Sequence, residues 1–190
     1  KPTILFAPTF SPSLTSAPYF YEQITALVNE KKYNWLVKFH PKMDKKWITL
    51  YSQLSSDNFK IISTSNINSL LQSADVMVSD TSSVIGEFSL LGKPVISLNN
   101  SQPGNYLINI SEADELPNAL IVALSPPETL LSAINRYAEE LHPYNDGKSS
   151  LRILEAVENI LLNGKQSLKP LPMNIIRNLK QRKRLNYWKF

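Results

Sequence analysis

Five short, mostly apolar runs punctuate the first hundred residues, and between them the apolar spacing switches to that of a helix. The runs are Thr3-Ile4-Leu5-Phe6-Ala7, Trp35-Leu36-Val37-Lys38-Phe39, residues 59–62, Val76-Met77-Val78 and Pro94-Val95-Ile96-Ser97-Leu98. Each is too short for a helix and apolar on consecutive positions, as strands covered on both faces are. The intervening spacing predicts helices over 19–31, with Phe20, Ile24, Leu27 and Val28 on one face, and then over 44–54 and 66–72. A fourth helix starts near Val84 and ends at Gly92. Strand, helix, strand, helix with short connections predicts an α/β fold: a Rossmann-like, doubly wound parallel sheet with helices on both faces.

Such sheets bind ligands outside the carboxyl ends of their strands. Three polar segments fall at those ends here: Pro8-Thr9, His40-Pro41 and residues 80–83. The last belongs to the stretch Ala74-Asp75-Val76-Met77-Val78-Ser79-Asp80-Thr81-Ser82-Ser83-Val84-Ile85-Gly86-Glu87-Phe88, which reads as strand, tight polar turn and helix start. Ser82 or Ser83 can cap that helix and leave backbone N–H groups facing outward, where an anion is favoured. Glu87, one turn beyond Ser83, can accept hydrogen bonds from ribose hydroxyls. Phosphate at the cap and sugar on the acid would make a nucleotide site. A plain cap and a solvated acid would leave the same pattern, and both readings stand at this point.

Beyond residue 100 the pattern loosens. Leu107-Ile108 reads as an edge strand and 116–124 as a short helix. A clearer helix follows Pro126-Pro127, with Leu130, Leu131, Ile134, Ala138 and Leu141 inward. A polar turn at 142–150 precedes a helix reaching about Leu162 that carries Leu154, Val157 and Leu161. Residues 165–172 read as a linker, and 173–187 as a basic amphipathic helix with Ile175, Ile176, Leu179 and Leu185 apolar. The expected organisation is a nucleotide-donor-binding domain over 1–164 and a linker with a basic tail over 165–190.

Composition narrows the chemistry. A hydrophobic content of 43% in 190 residues suits a soluble globular domain with a sizeable core. The absence of cysteine excludes disulfides and Cys-based zinc sites, and two histidines are too few for a His-rich metal centre. No carboxylate cluster points to a dedicated metal site, so no tightly bound metal or cofactor is expected. No apolar run approaches the roughly 20 residues that span a bilayer. The net charge of +4 is uneven: the eight basic residues from Lys165 onward meet no acid, while the rest of the chain is mildly acidic. The basic balance is therefore no sign that the body binds nucleic acid. Lys1-Pro2 leads almost directly into a strand without an initiator Met, so the chain is read as a fragment of a longer protein.

Four motifs in order, Ile4-Leu5-Phe6-Ala7-Pro8-Thr9-Phe10, Lys38-Phe39-His40-Pro41, Ala74-Asp75 through Ser79-Asp80-Thr81-Ser82-Ser83-Val84, and Tyr144-Asn145-Asp146-Gly147-Lys148-Ser149-Ser150, resemble the C-terminal half of the CDP-glycerol glycerophosphotransferase family. These are the enzymes of teichoic-acid and some capsule synthesis. The resemblance runs over most of residues 2–162. It implies the donor-binding domain of a GT-B fold that moves glycerol phosphate, or a related polyol phosphate, from a CDP-linked donor to a polymer or lipid-linked acceptor. It implies that Pro8 and Thr9 lie along the donor, that Lys38, Phe39 and His40 contact its phosphates or glycerol end, that Ser82 and Ser83 hold phosphate, and that Glu87 meets the ribose. His40 would offset charge at the reacting phosphate, and Asp146 and Gly147 would belong to a loop closing on the nucleotide. The base acting on the acceptor is expected in the family's N-terminal domain, which these residues lack, so the chain alone is expected to bind donor without turnover.

Two positions depart from the family pattern: Ser11 stands where Arg is frequent, and Thr81 where Tyr is usual. A similar strand–turn–helix with a downstream Glu occurs in UDP-N-acetylglucosamine 2-epimerases, so a UDP-sugar-dependent transferase or epimerase-like domain is the alternative. A non-catalytic, membrane-associated nucleotide-binding module is a further one. His40 can instead be a strand-end residue satisfied by a backbone carbonyl, and His142 reads as a partner of its helix dipole. The basic tail suits either the anionic inner face of the plasma membrane or packing on the N-terminal domain, which gives a cytoplasmic or peripheral-membrane location.

Overall fold

Ile4, Leu5 and Phe6 are consecutive and all fully buried, so the first strand is covered on both faces, as its unbroken apolar run requires. The computed structural model describes residues 1–64, 66–164 and 172–187. Contacts divide the chain into two compact units, Lys1–Asn145 and Asp146–Phe190. The division falls ahead of the 164/165 boundary expected from sequence, and most of the predicted linker lies outside the described residues.

The first unit is a six-stranded sheet. Its strands are β1 (Thr3–Phe6), β2 (Asn34–Val37), β3 (Phe59–Ile61), β4 (Val76–Ser79), β5 (Val95–Leu98) and β6 (Ile108–Ile110). They run in the order β3-β2-β1-β4-β5-β6, and every pairing is parallel. This is the doubly wound order predicted from the alternating pattern. The edge strand lies at Ile108–Ile110, one residue later than Leu107-Ile108 suggested.

Alternate strand residues feed two cores. Ile4, Phe6, Trp35, Val37, Val76, Val78 and Ile96 share one core with α1 (Ala17–Asn29) and α5 (Leu116–Leu124). In α1 the buried Phe20, Ile24, Leu27 and Val28 form the stripe the spacing predicts. Tyr51, from α2 (Lys45–Ser52), completes that face: it stacks on Phe6 and donates its hydroxyl hydrogen bond to the Ala17 carbonyl at 2.9 Å. Leu5, Met77 and Val95 face the other side, against α3 (Asn68–Ser73) and α4 (Val84–Ser89). A last helix of this unit, α6 (Glu128–Leu141), buries Leu130, Ala133 and Ile134. Leu141, read as inward from its spacing, is 49% exposed because it falls at the helix end.

Two elements are shorter than their periodicity suggests. The helix α3 starts at Asn68 rather than at Asn66, whose side chain instead accepts the Asn68 amide hydrogen bond at 3.0 Å. The helix α4 has six residues and gives way at Leu90 to a tight turn. Gly92, at φ +69°, donates its amide to Ser89 in that turn, a backbone conformation that favours glycine.

The second unit holds α7 (Ser149–Asn163) and α8 (Ile175–Arg184), neither of which buries a residue. No helix among the described residues is long and apolar enough to cross a membrane.

Candidate functional site

The chain winds from β1 to β3 toward one edge of the sheet and returns beside β1 with β4. The segments leaving β1 and β4 therefore part at their carboxyl ends, and a crevice opens between them. Asp80, the first residue after β4, stitches the crevice together. Its buried carboxylate accepts hydrogen bonds from the Thr9 amide at 3.0 and 3.1 Å, the Ser16 amide at 2.8 Å and the Ser16 hydroxyl at 2.9 Å. Its carbonyl accepts a 2.7 Å bond from the Asn100 side chain. Loops after β1, β4 and β5 are thus tied to one residue. Burial pushes the Asp80 carboxyl above the usual carboxylate range, against the pull of the Ser16 and Thr9 donors.

A cleft of about 380 Å³ lies beside this knot. Its walls bring together Pro8, Lys38, Phe39, His40, Ser82, Ser83 and Glu87, seven of the ten substrate-contact positions expected from sequence. Thr9 adjoins it and spends its amide on Asp80. Asp146 and Gly147 belong to the second unit, where Asp146 is clamped by Arg152 at 2.5 and 2.8 Å and held well below the usual carboxylate range by that guanidinium.

The side chains differ in what they present. His40, three residues beyond β2, has its ring stacked on Phe10, centroids 4.4 Å apart. Its Nδ1 accepts the Lys42 amide hydrogen bond at 3.1 Å. The partner is an amide N–H rather than the backbone carbonyl considered from sequence, and in the neutral ring this assigns the proton to Nε2, a donor for an incoming ligand. Lys38 Nζ rests 3.0 Å from the Phe39 carbonyl. Phe39 is 7% exposed and packs edge-on against Tyr51 at 5.4 Å, so its ring anchors the strand end in the core.

Ser83 occupies the N-cap position of α4 but makes no side-chain cap bond. The capping expected of Ser82 or Ser83 is thus not used within the protein. Neither serine amide nor hydroxyl is engaged among the described residues, which leaves a turn of hydrogen-bonding groups open to the cleft. Six residues make a weak dipole, so these local groups, with Lys38 and His40, supply the attraction for an anion. Glu87 lies exposed one turn on, at the lip of the same cleft.

A hollow of about 390 Å³ continues beyond His40, walled by Ile48, Ile61, Ile62 and Thr64. Among the described residues no three His, Asp or Glu side chains gather as metal ligands would. Phe10, stacked on His40, and Asp80, which ties the loops, adjoin the cleft and were not among the site residues read from sequence. Both stood inside the motifs, Phe10 as the aromatic after Pro8-Thr9 and Asp80 as a lone acid among small polar residues.

Comparison with known proteins bears on the family and the fold. The model of the family CDP-Glycerol:Poly(glycerophosphate) glycerophosphotransferase matches residues 1–159. The chain is 32% identical over 174 residues to a teichoic acid glycerol-phosphate primase of Bacillus subtilis, covering 85% of this chain and 44% of that protein. It is 40% identical over 101 residues to a teichoic acid poly(ribitol-phosphate) polymerase of Bacillus spizizenii, covering 50% of this chain and 16% of that one. The chain therefore spans less than half the length of these curated relatives. Among solved structures, the S. aureus MnaA–UDP complex superposes with a TM-score of 0.62 at 18% identity, over 92% of this chain and 49% of that one. The wall teichoic acid polymerase TagF soaked with CDPG gives 0.58 at 18% identity, over 85% and 42%. At such identities these structures share the fold.

Proposed function

The chain belongs to the CDP-glycerol:poly(glycerophosphate) glycerophosphotransferase family, and from that membership we propose that it is the donor-binding half of a transferase that moves a polyol phosphate from a CDP-linked donor to a polymer or lipid-linked acceptor. The observation that carries this reading is the cleft at the β1/β4 switch point, where Lys38, His40, Ser82, Ser83 and Glu87 converge. The diphosphate lies on the Ser82-Ser83 turn, Glu87 accepts from the ribose hydroxyls, and the apolar hollow beyond His40 takes the pyrimidine.

Transfer is attack of an acceptor hydroxyl on the donor's β-phosphorus with CMP leaving. Such a step asks for positioning and charge neutralisation more than for covalent help. His40 Nε2 and the serine groups donate to the phosphate oxygens, while Lys38 exchanges its carbonyl partner for phosphate. The rest of the longer protein supplies the base on the acceptor. Calorimetric titration with CDP, CDP-glycerol, UDP and UDP-N-acetylglucosamine tests the reading. The cytidine pair binds more tightly, and His40→Ala and Ser82→Ala each weaken CDP about tenfold, as loss of a charge-assisted hydrogen bond would. Preference for the uridine pair moves the chemistry to sugar transfer or epimerisation, and intact CDP affinity in both variants removes the site assignment.

The helix α8 adds a peripheral-membrane role. It exposes Ile175, Ile176 and Leu179 beside Arg177, Lys180, Arg182, Lys183 and Arg184, a composition that suits an anionic leaflet. Co-sedimentation with phosphatidylserine vesicles, lost on deleting 173–190, is the expected outcome.

A further inference from the structure

We propose that a second cleft, on the other flank of the Ser82-Ser83 turn, binds a neutral, hydroxyl-rich group: a saccharide or polyol unit adjacent to the phosphates. It encloses about 470 Å³ within the first unit. Ser82, Ser83 and Glu87 line this cleft and the first one alike. Whatever fills one cleft therefore ends where the occupant of the other begins.

The two linings differ in charge. The first cleft offers Lys38 and His40. No lysine, arginine or histidine lines the second, whose polar groups include the hydroxyls of Thr81, Ser82 and Ser83, the amides of Asn100 and Gln102, and Glu87. A phosphate entering here would find no cation to offset it, whereas alcohol groups find both donors and acceptors. Apolar surface comes from Tyr106 and Tyr137, whose rings lie parallel with centroids 3.6 Å apart. Aromatic rings with a few placed amides and hydroxyls suit a ligand of hydroxyls on a C–H framework.

The cleft is held in shape. Asn100 accepts the Gln102 amide bond at 2.8 Å while donating to the Asp80 carbonyl, and the Ser101 amide donates to Thr81 Oγ1 at 3.0 Å. The wall is thus fastened to the turn that shapes the first cleft. Burial, with the Tyr137 hydroxyl close by, pushes the Tyr106 phenol up to about 12. A Cβ at Gly104 would overlap the Tyr106 ring, and one at Gly86 would approach Leu141 to 3.0 Å, so the two glycines let Tyr106 and Leu141 take their places in the wall. Gln102, by contrast, is exposed and has no hydrogen bond on its side-chain amide among the described residues.

Titration of the ¹⁵N-labelled chain with N-acetylglucosamine and with glycerol, followed by NMR, tests the assignment. Saturable shifts are expected at Asn100, Ser101, Gln102 and Tyr106, with Lys38 and His40 unmoved. Gln102→Ala, a change on an exposed loop, is expected to weaken binding several-fold, and Tyr137→Ala about tenfold as one ring contact is lost. No saturable shift, shifts centred on Lys38 and His40, or affinity unchanged in Gln102→Ala overturns it. Repeating the titration with CDP and with CDP-glycerol present separates two sources of the same chemistry. Binding beside either nucleotide identifies an acceptor saccharide, and displacement by CDP-glycerol but not by CDP identifies the donor's own alcohol end. Only the word adjacent rests on the donor reading. If CDP leaves Lys38, His40 and Ser82 unmoved, that reading fails while the shifts at Asn100 to Gln102 still decide this one.

Discussion

The two units use apolar side chains in opposite ways. In Lys1–Asn145 every helix from α1 to α6 buries at least one apolar side chain, and α1, α4, α5 and α6 bury three or more. In the second unit α7 carries as regular a pattern and buries nothing, with Leu154 60% and Leu161 77% exposed. Periodicity shows that a helix has an apolar face; it does not show what covers that face. In the first unit the cover is legible because the same sequence supplies the doubly apolar strands that need helices on both sides.

The largest expected effect draws this line directly. Phe88→Ala removes a fully buried ring from α4 and is expected to cost about 3–5 kcal/mol in chemical denaturation. Leu154→Ala is expected to stay within about 0.5 kcal/mol. A cost above about 2 kcal/mol for Leu154→Ala breaks the comparison, because the α7 face would then be covered in solution.

The polar groups repeat the contrast on a smaller scale. Asp80→Ala strips the acceptor from the Thr9 amide, the Ser16 amide and the Ser16 hydroxyl at once. Leaving buried donors unpaired is expected to cost about 2–4 kcal/mol, and the loosened loops should weaken CDP binding too. Asp146→Ala releases the exposed Arg152 clamp and the exposed Lys148 amide and is expected to leave the melting temperature close to wild type. Equal losses in the two variants would show that Asp80 is no more structural than a surface acid.

How far these roles could be read from sequence follows from how local their causes are. The strand runs, the α1 stripe and the polar strand ends are local, and the strands appear within two residues of the bounds expected, β2 at Asn34–Val37 rather than Trp35–Phe39. The convergence of Lys38, His40 and Ser82 was legible because a parallel doubly wound sheet puts all its carboxyl strand ends on one edge. The burial of Asp80 was not: its partners Ser16 and Thr9 stand 64 and 71 residues earlier, and no spacing rule links them. The Tyr106–Tyr137 pair was hidden for the same reason, since one ring follows β5 and the other lies on α6. The bounds of α3 and α4 were misread because the Asn66 side chain takes the Asn68 amide ahead of α3, and because the apolar Leu90 and Leu91 lie in the turn that follows α4.

The smallest expected effect concerns the sign of two pH dependences. Burial raises the Asp80 carboxyl above the ordinary aspartate value of 3.8. The folded state then holds its proton more tightly than the unfolded chain, so the stability this carboxyl contributes is full below 3.8 and is lost as pH rises through the folded value. Asp146 is lowered from the same 3.8, first by Arg152, so its contribution is full above that value and is lost as pH falls through its own folded value. Carboxyl ¹³C titration should therefore place the two midpoints on opposite sides of the ordinary value. Denaturation between pH 3 and 6 should show the Arg152→Gln variant losing part of its gain on raising pH, while a Ser16→Ala variant, deprived of one donor to Asp80, loses stability more steeply over the same interval. If both midpoints fall below the ordinary value, the Thr9 and Ser16 donors outweigh burial, and the knot at the switch point holds a charge as readily as the exposed clamp does.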